Sequence, residues 1–146
     1  MKNQFLYIFY ISNREKICTN DHINEILDTA QFTNSQDTVT GLLMYSKTHF
    51  IQYIEGPILN VNRLFAKIKL DYRHRNCLII STQFLDERIF PSWQMASKSF
   101  DENKLTMISE MSQENQLAFQ SFLNRENCGK SIVQKFMQQF VESNLY

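Results

Sequence analysis

The sequence predicts an α+β fold: a ferredoxin-like, five-stranded mixed sheet with two helices on one face and a C-terminal helical cap. Three observations predict it. Apolar patterns of period two and period 3.6 alternate along the chain in the order β-α-β-β-α-β-β. The first apolar run, Phe5 to Ile11, is apolar on both alternations, as a strand buried on both faces must be. The last third of the chain then turns helical and carries an apolar stripe able to cover a second sheet face.

The elements follow in order. Thr19 and Asn20 are capable N-caps, and Ile23, Ile26, Leu27 and Ala30 recur at helical spacing, so a helix is expected to run to about Thr33-Asn34. Thr38 to Tyr45 and His49 to Glu55 flank the short link Ser46-Lys47-Thr48 and read as a β-hairpin. Gly56-Pro57 closes it and opens a second helix, with Pro57 in the first turn and a buried stripe of Val61, Leu64, Phe65 and Ile68. That helix is expected to end near His74. Cys77 to Leu85 reads as a fourth strand and Trp93 to Ser97, after Pro91, as a fifth.

Beyond Phe100 the signals are helical. Leu105, Ile108 and Met111 predict a short helix, and Leu117, Phe119, Phe122 and Leu123 a second. Past Gly129, the stripe Ile132, Val133, Phe136, Met137, Phe140 and Val141 predicts the last. This cap is expected on the sheet face left open by the first two helices. The pattern alone equally allows the stripe to meet a partner chain.

Composition narrows the function. A chain of 146 residues, 43% hydrophobic and 13% aromatic with 12 Phe, has ample material for one core and is not a disordered segment. Fifteen basic residues balance 15 acidic ones, so there is no basic footprint for nucleic acid or an anionic membrane, while self-association meets no charge barrier. Cys18, Cys77 and Cys128 are scattered and His22, His49 and His74 lack metal-ligand spacing, which fits a reducing cytoplasm and no metal. The apolar run after Lys2 is short for a signal-peptide core, and no stretch approaches the roughly 20 apolar residues of a membrane span.

Routine catalytic motifs are absent. Gly41, Gly56 and Gly129 are the only glycines, so neither a P-loop nor a dinucleotide fingerprint exists, and there is no GxSxG or HExxH. His74 and Cys77 lie close in sequence, but no third group is evident to orient a nucleophile pair. Glu55, at a strand end, reads more readily as a hydrogen-bonded terminus than as a general acid.

The central strands are odder. Period two places Gln52 on the face of Phe50 and Ile54, and Tyr10 on the face of Ile8 and Ser12. A buried amide without partners costs about 1–3 kcal/mol, so Gln52 needs company. If the two strands are neighbours, Tyr10 and Gln52 share a hydrogen bond beneath the helices. On periodicity alone the plainer reading is a polar pair buried for packing specificity.

Four collinear pieces add a resemblance. Thr40-Gly-Leu-Leu-Met-Tyr45, Phe50-Ile-Gln-Tyr-Ile-Glu-Gly56, Asp71-Tyr-Arg-His74 and Arg88-Ile-Phe-Pro-Ser-Trp-Gln-Met95, behind a tyrosine on the first strand, strongly resemble the BLUF family of blue-light sensors using FAD. The resemblance covers about Phe5 to Met95. It implies a flavin, FAD by family expectation, held non-covalently between the first two helices. By position Tyr10 matches the photochemical tyrosine and Gln52 the switching glutamine. Asn34 matches the asparagine at the flavin pyrimidine edge and Ile26 a residue lining the ring. Asp71, Arg73 and His74 match the end of the second helix, beside ring and ribityl chain. Trp93 and Met95 match the signal-relaying pair of the last strand. Two positions depart from the pattern: Thr33 stands where many members carry Asn or His, and Lys67 where some carry arginine. Both remain expected flavin contacts, and Lys67 keeps the charge while losing the planar fork.

The resemblance thus implies residues 1–98 as the flavin-binding domain and residues 99–146 as a cap or output extension. The implied cycle is a switch rather than an enzyme: Tyr10 gives an electron, its proton follows through Gln52, and the glutamine amide ends rotated or tautomerised. Output is expected through a downstream protein partner or a change in a homo-oligomer. The competing readings are a ferredoxin-like interaction module without photochemistry, and a flavin or small-molecule enzyme on the same scaffold. The first would lack Tyr10, Gln52 or Asn34, and the second would need an acid, base or nucleophile aimed into the pocket.

Overall fold

The computed structural model of the chain describes residues 4–88, 95–100 and 112–144, and the side chains of all of these except 33–37 and 140–144. Its elements are β1 (Phe5–Arg14), α1 (Asn20–Asp37), β2 (Thr40–Tyr45), β3 (His49–Pro57), α2 (Ile58–Lys69), β4 (His74–Leu85), β5 (Ala96–Ser99), α3 (Gln113–Leu123) and α4 (Lys130–Asn144). The sheet order is β4-β1-β3-β2-β5, antiparallel except where β5 joins β2 in parallel, so the mixed five-stranded sheet expected from the sequence is present.

β1 lies inside the sheet and explains the doubly apolar run. Leu6, Ile8 and Tyr10 point into a core with Ile23, Val61 and Phe65 of the first two helices. Tyr7, Phe9 and Ile11 point the other way, into a core with Phe119, Phe122, Val133, Phe136 and Met137. The cap therefore packs on the open face of the sheet. Each large apolar side chain taken out of water there contributes about 1.5–3 kcal/mol. Phe122 meets Phe9 edge-on at 4.8 Å and Phe136 at 5.1 Å, the aromatic geometry that adds to burial.

Local chemistry sets the ends of the helices. Thr19 Oγ1 accepts from the His22 amide at 3.3 Å while His22 Nδ1 accepts from the Thr19 amide at 3.0 Å, a reciprocal cap on α1. α1 then runs to Asp37, beyond the expected end at Thr33-Asn34, because no glycine or proline interrupts it. It stops where Thr38 takes φ 57°, a conformation seldom adopted by a β-branched residue. α2 ends at Lys69 rather than near His74. Asp71 Oδ1 accepts from the Arg73 amide at 2.9 Å, an Asx turn that competes with another helical turn and frees His74 to begin β4. Pro57 precedes α2 as its N-cap residue instead of lying within the first turn. Ser112 caps α3 through the Asn115 amide at 3.2 Å.

Within the described residues β5 covers Ala96–Ser99, later than the expected Trp93 to Ser97. Trp93 and the short helix expected around Leu105 to Met111 lie outside the described residues. Gly41 has a steric reason: a Cβ there would sit 2.0 Å from the Tyr53 carbonyl oxygen, so β2 can pair with β3 only without one.

Candidate functional site

Tyr10 and Gln52 are direct cross-strand partners in the β1·β3 ladder and share the face covered by α1 and α2. Both are nearly sealed, at 3% and 5% exposed. The Tyr10 hydroxyl donates to Gln52 Oε1. Gln52 Nε2 donates in turn to Met95 Sδ at 3.4 Å, and the Gln31 amide reaches the Met95 carbonyl at 3.4 Å. The buried amide thus has a strong partner at one end and a weak, sulfur-type acceptor at the other.

The pair forms the wall of a cavity of about 280 Å³, near the lower bound of small-molecule pockets. One side is α1, with Ile26, Thr29 and Ala30; the opposite side is α2, with Leu64, Lys67 and Ile68. Leu43, Phe50 and Met95 close the sheet end, and Asp71, Arg73 and His74 close the end below α2. Apolar walls facing each other with polar groups at the edges suit a flat heterocycle, so the residues fit a flavin ring.

Several polar groups are held rather than free. Asp71 and Arg73 form a two-pronged ion pair at 2.9 and 2.6 Å, with Glu25 at 3.8 Å from the guanidinium. Those hydrogen bonds hold the Asp71 carboxyl below the usual carboxylate range and raise the Arg73 guanidinium. His74 donates through Nε2 to the Ile68 carbonyl at 2.5 Å, and its Nδ1 shares a hydrogen bond with Ser12 Oγ at 2.7 Å. Burial lifts the Tyr10 phenol well above its ordinary value, with Cys77 and Asp71 adding to the shift. The resting phenol therefore keeps its proton.

Of the residues singled out in the sequence, Tyr10, Ile26, Gln52, Lys67, Asp71, Arg73, His74 and Met95 line this one cavity. Thr33 and Asn34 lie in the last turns of α1, and their side chains, like Trp93, fall outside the described residues. Sequence reasoning missed Thr29, Ala30, Leu43, Phe50, Leu64 and Ile68 as cavity residues. The signal existed for most of them. Thr29 and Ala30 lie one helical turn beyond Ile26, and Leu64 and Ile68 belong to the α2 stripe that faces the sheet.

Residues 5–96 match the family described as BLUF, sensors of blue-light using FAD. The chain belongs to the BLUF family. BLUF domains bind flavin, in keeping with the cavity. Photoactivated adenylate cyclase subunit alpha of Euglena gracilis is 31% identical over 98 residues, covering 67% of this chain and 10% of that protein. The chain thus spans about a tenth of that relative, and the enzyme shares with it only its BLUF portion. Among solved structures, photo-activated BlsA is 26% identical with a TM-score of 0.72, covering 92% of this chain and 93% of its own. Dark-state BlrB, at 22% identity and the same TM-score of 0.72, matches 96% of this chain and 99% of its own, a likeness of fold. Among the described residues no helix is long and apolar enough to cross a membrane, and no cluster of ligating side chains could hold a metal ion.

Proposed function

We propose that this BLUF chain senses blue light through a Tyr10–Gln52 hydrogen-bond switch and passes the signal to a separate protein or to another copy of itself. The observation that carries the reading is the Tyr10–Gln52 hydrogen bond on the wall of the cavity, with the far end of the amide resting on Met95. FAD is the flavin we assign, following the family's description. Asn34, Ile26, Thr33, Lys67, Asp71, Arg73 and His74 are the further contacts assigned to it.

When bound, the flavin supplies the blue-light absorption and the electron acceptor. Tyr10 supplies the electron. A phenol that has lost an electron becomes strongly acidic, and Gln52 Oε1 is the acceptor already hydrogen-bonded to it. The proton moves to Gln52, and when the electron returns to Tyr10 the phenolic oxygen takes a proton back, so that no net oxidation remains. An amide has donor and acceptor ends on a nearly symmetric frame, so it can settle with those ends exchanged or as its tautomer. Gln52 then presents a changed hydrogen-bond edge to the cavity, and its contact with Met95 Sδ is replaced. Met95 leads directly into β5, with Trp93 just before it, so the last strand is the natural first receiver. No bond of a substrate is made or broken in this cycle, so the chain acts as a switch and not as an enzyme. The cytoplasm is the compartment that suits its free thiols, Cys18, Cys77 and Cys128.

The test is the absorption spectrum of purified protein before and after blue light, with Gln52→Leu alongside. The expected result is an oxidised-flavin spectrum that shifts red reversibly in the wild type and fails to shift in the variant. A protein that refuses added flavin would make the chain an interaction module on a BLUF scaffold. A variant that shifts normally would remove Gln52 from the mechanism.

A further inference from the structure

The edge of the sheet beside Tyr10 is irregular, and both irregularities are tied to the cap. Along β1·β4 the pairing steps from Phe9–Ser81 to Tyr10–Ile79, leaving Ile80 unpaired as a bulge. It slips again between Ile11–Leu78 and Asn13–Arg75, so that Asn76 and Cys77 together face Ser12. The two slips bracket Tyr10 and Ile11. Ile80 offers its carbonyl to the Cys128 amide at 3.2 Å. Asn76 offers its carbonyl to Arg125 Nη1 at 2.8 Å. Both donors belong to the loop between α3 and α4.

Arg125 itself stands in an unexpected place. The Arg125 amide bonds the Phe122 carbonyl at 3.0 Å and the Glu126 amide the Ser121 carbonyl at 3.1 Å, the paired closure of a Schellman motif at the end of α3. The residue at that point has φ 61°, a position where glycine is the usual choice and a side chain is strained. Its partner Asn76 also has a positive φ, of 54°. Two of the three non-glycine residues with positive φ among the described residues therefore meet each other. The second arm of the guanidinium, Nη2, donates to Asn13 Oδ1 at 2.5 Å, and Asn76 Nδ2 adds a longer bond to the same oxygen at 3.4 Å. Asn13 adjoins Ser12, whose hydroxyl holds the cavity residue His74.

We propose that Arg125 is a positioning residue that latches the cap to the bulged edge beside Tyr10, giving the cap its own contact with the photochemical strand, separate from β5. This rests on the light-sensing reading above. A change of hydrogen bonding at Tyr10 moves a short stretch of β1 whose neighbour on β4 is already out of regular register. Such a bulge shifts more readily than a regular ladder. The Asn76 carbonyl, through Arg125, transmits the shift to the loop from which α3 and α4 both spring.

Arg125→Gly separates the latch from mere structure, because glycine suits the backbone at that position while removing both arms. Hydrogen exchange at the Cys128 amide and along α3 and α4 is measured in darkness and under blue light, beside the absorption spectrum. The expected outcome is a light-dependent change of exchange in the wild type, and its loss in Arg125→Gly with the red shift retained. Should that variant fold poorly, Asn13→Ala withdraws one acceptor and leaves the end of α3 untouched, with the same loss expected. A wild type without a red shift would overturn the light-sensing reading and the latch with it. A normal red shift with an unchanged Cys128 amide, or a light-dependent change that persists in the variant, would overturn the latch alone.

Discussion

Two buried tyrosine pairs sit on opposite faces of the sheet, one across β1 and β3 and the other along β3. On the helix side the Tyr10 hydroxyl donates to the Gln52 amide; on the cap side the Tyr53 hydroxyl donates to Glu55 Oε2 at 2.8 Å. Both tyrosines are pushed well above the ordinary phenol range by burial, Tyr53 further by the Glu55 carboxylate. Their surroundings differ. Tyr53 stacks on Tyr7 at 5.3 Å within a filled aromatic core, whereas Tyr10 faces a cavity. Their acceptors differ more. A carboxylate can only accept, so the Tyr53 bond has one direction; an amide can offer either end, so the Tyr10 bond has two. The same donor is a fixed brace on one face and, in the function proposed above, a switch on the other. What separates them is the acceptor chosen and the space left beside it.

The sharpest way to break this comparison is to empty the filled face. Phe122→Ala leaves a void among Phe9, Phe119 and Phe136 and is expected to cost about 3–5 kcal/mol in chemical denaturation. Leu64→Ala, on the half-buried cavity wall, is expected to cost only about 1 kcal/mol and to show itself instead as weaker flavin retention. Equal costs would mean that the two faces are packed alike. Next in size, Tyr53→Phe withdraws one donor from buried Glu55 and should lower stability by about 1–3 kcal/mol while the red shift survives. Tyr10→Phe should abolish the shift. If both variants kept it, the assignment of brace and switch would fail.

The smallest effect concerns acid. Asp71 ionises more readily folded than unfolded because Arg73 holds it, so it adds stability that is fully present above the unfolded carboxyl value of about 3.9. That contribution disappears as pH falls from there through the lower folded value. Melting temperatures between pH 6 and 3 should therefore converge for wild type and Asp71→Asn at the acid end. A constant gap would show that the ion pair does not set the difference.

Strand alternation made the Tyr10–Gln52 pair legible in the sequence, since period two fixes which side chains share a face. The helix stripes likewise marked the faces of α1 and α2 that turn toward the sheet, though not that those faces wall a cavity. The helix ends were not legible, for physical reasons. Thr38 terminates α1 in a conformation that threonine rarely takes, and α2 yields to an Asx turn whose Asp71–Arg73 closure looks in sequence like two ordinary charged residues. Nor could spacing reveal the bulges of β4, because register is a property of two strands together. The cap is expected on the open sheet face, although the α4 stripe fits any apolar surface; Tyr7, Phe9 and Ile11 of β1 join Leu42, Met44, Ile51 and Tyr53 of β2 and β3 in supplying that face.

The central place of β1 has a consequence for how the molecule comes into being. Its first residue, Phe5, pairs with Leu85, and Tyr10 with Ile79 on one side and Gln52 on the other. Such distant pairings pay their loop-closure entropy before they are rewarded, which slows folding. As the chain leaves the ribosome, the tyrosine strand is made first and finds its last neighbour only after residue 85 has emerged. The chamber therefore closes only once β4 has been made, and its ligand joins a chain in which β1, β3 and β4 have already met. From then on, occupancy pulls the folding equilibrium toward the native state in proportion to the logarithm of ligand excess. With flavin as that ligand, as proposed above, a cell short of it would hold less of this protein.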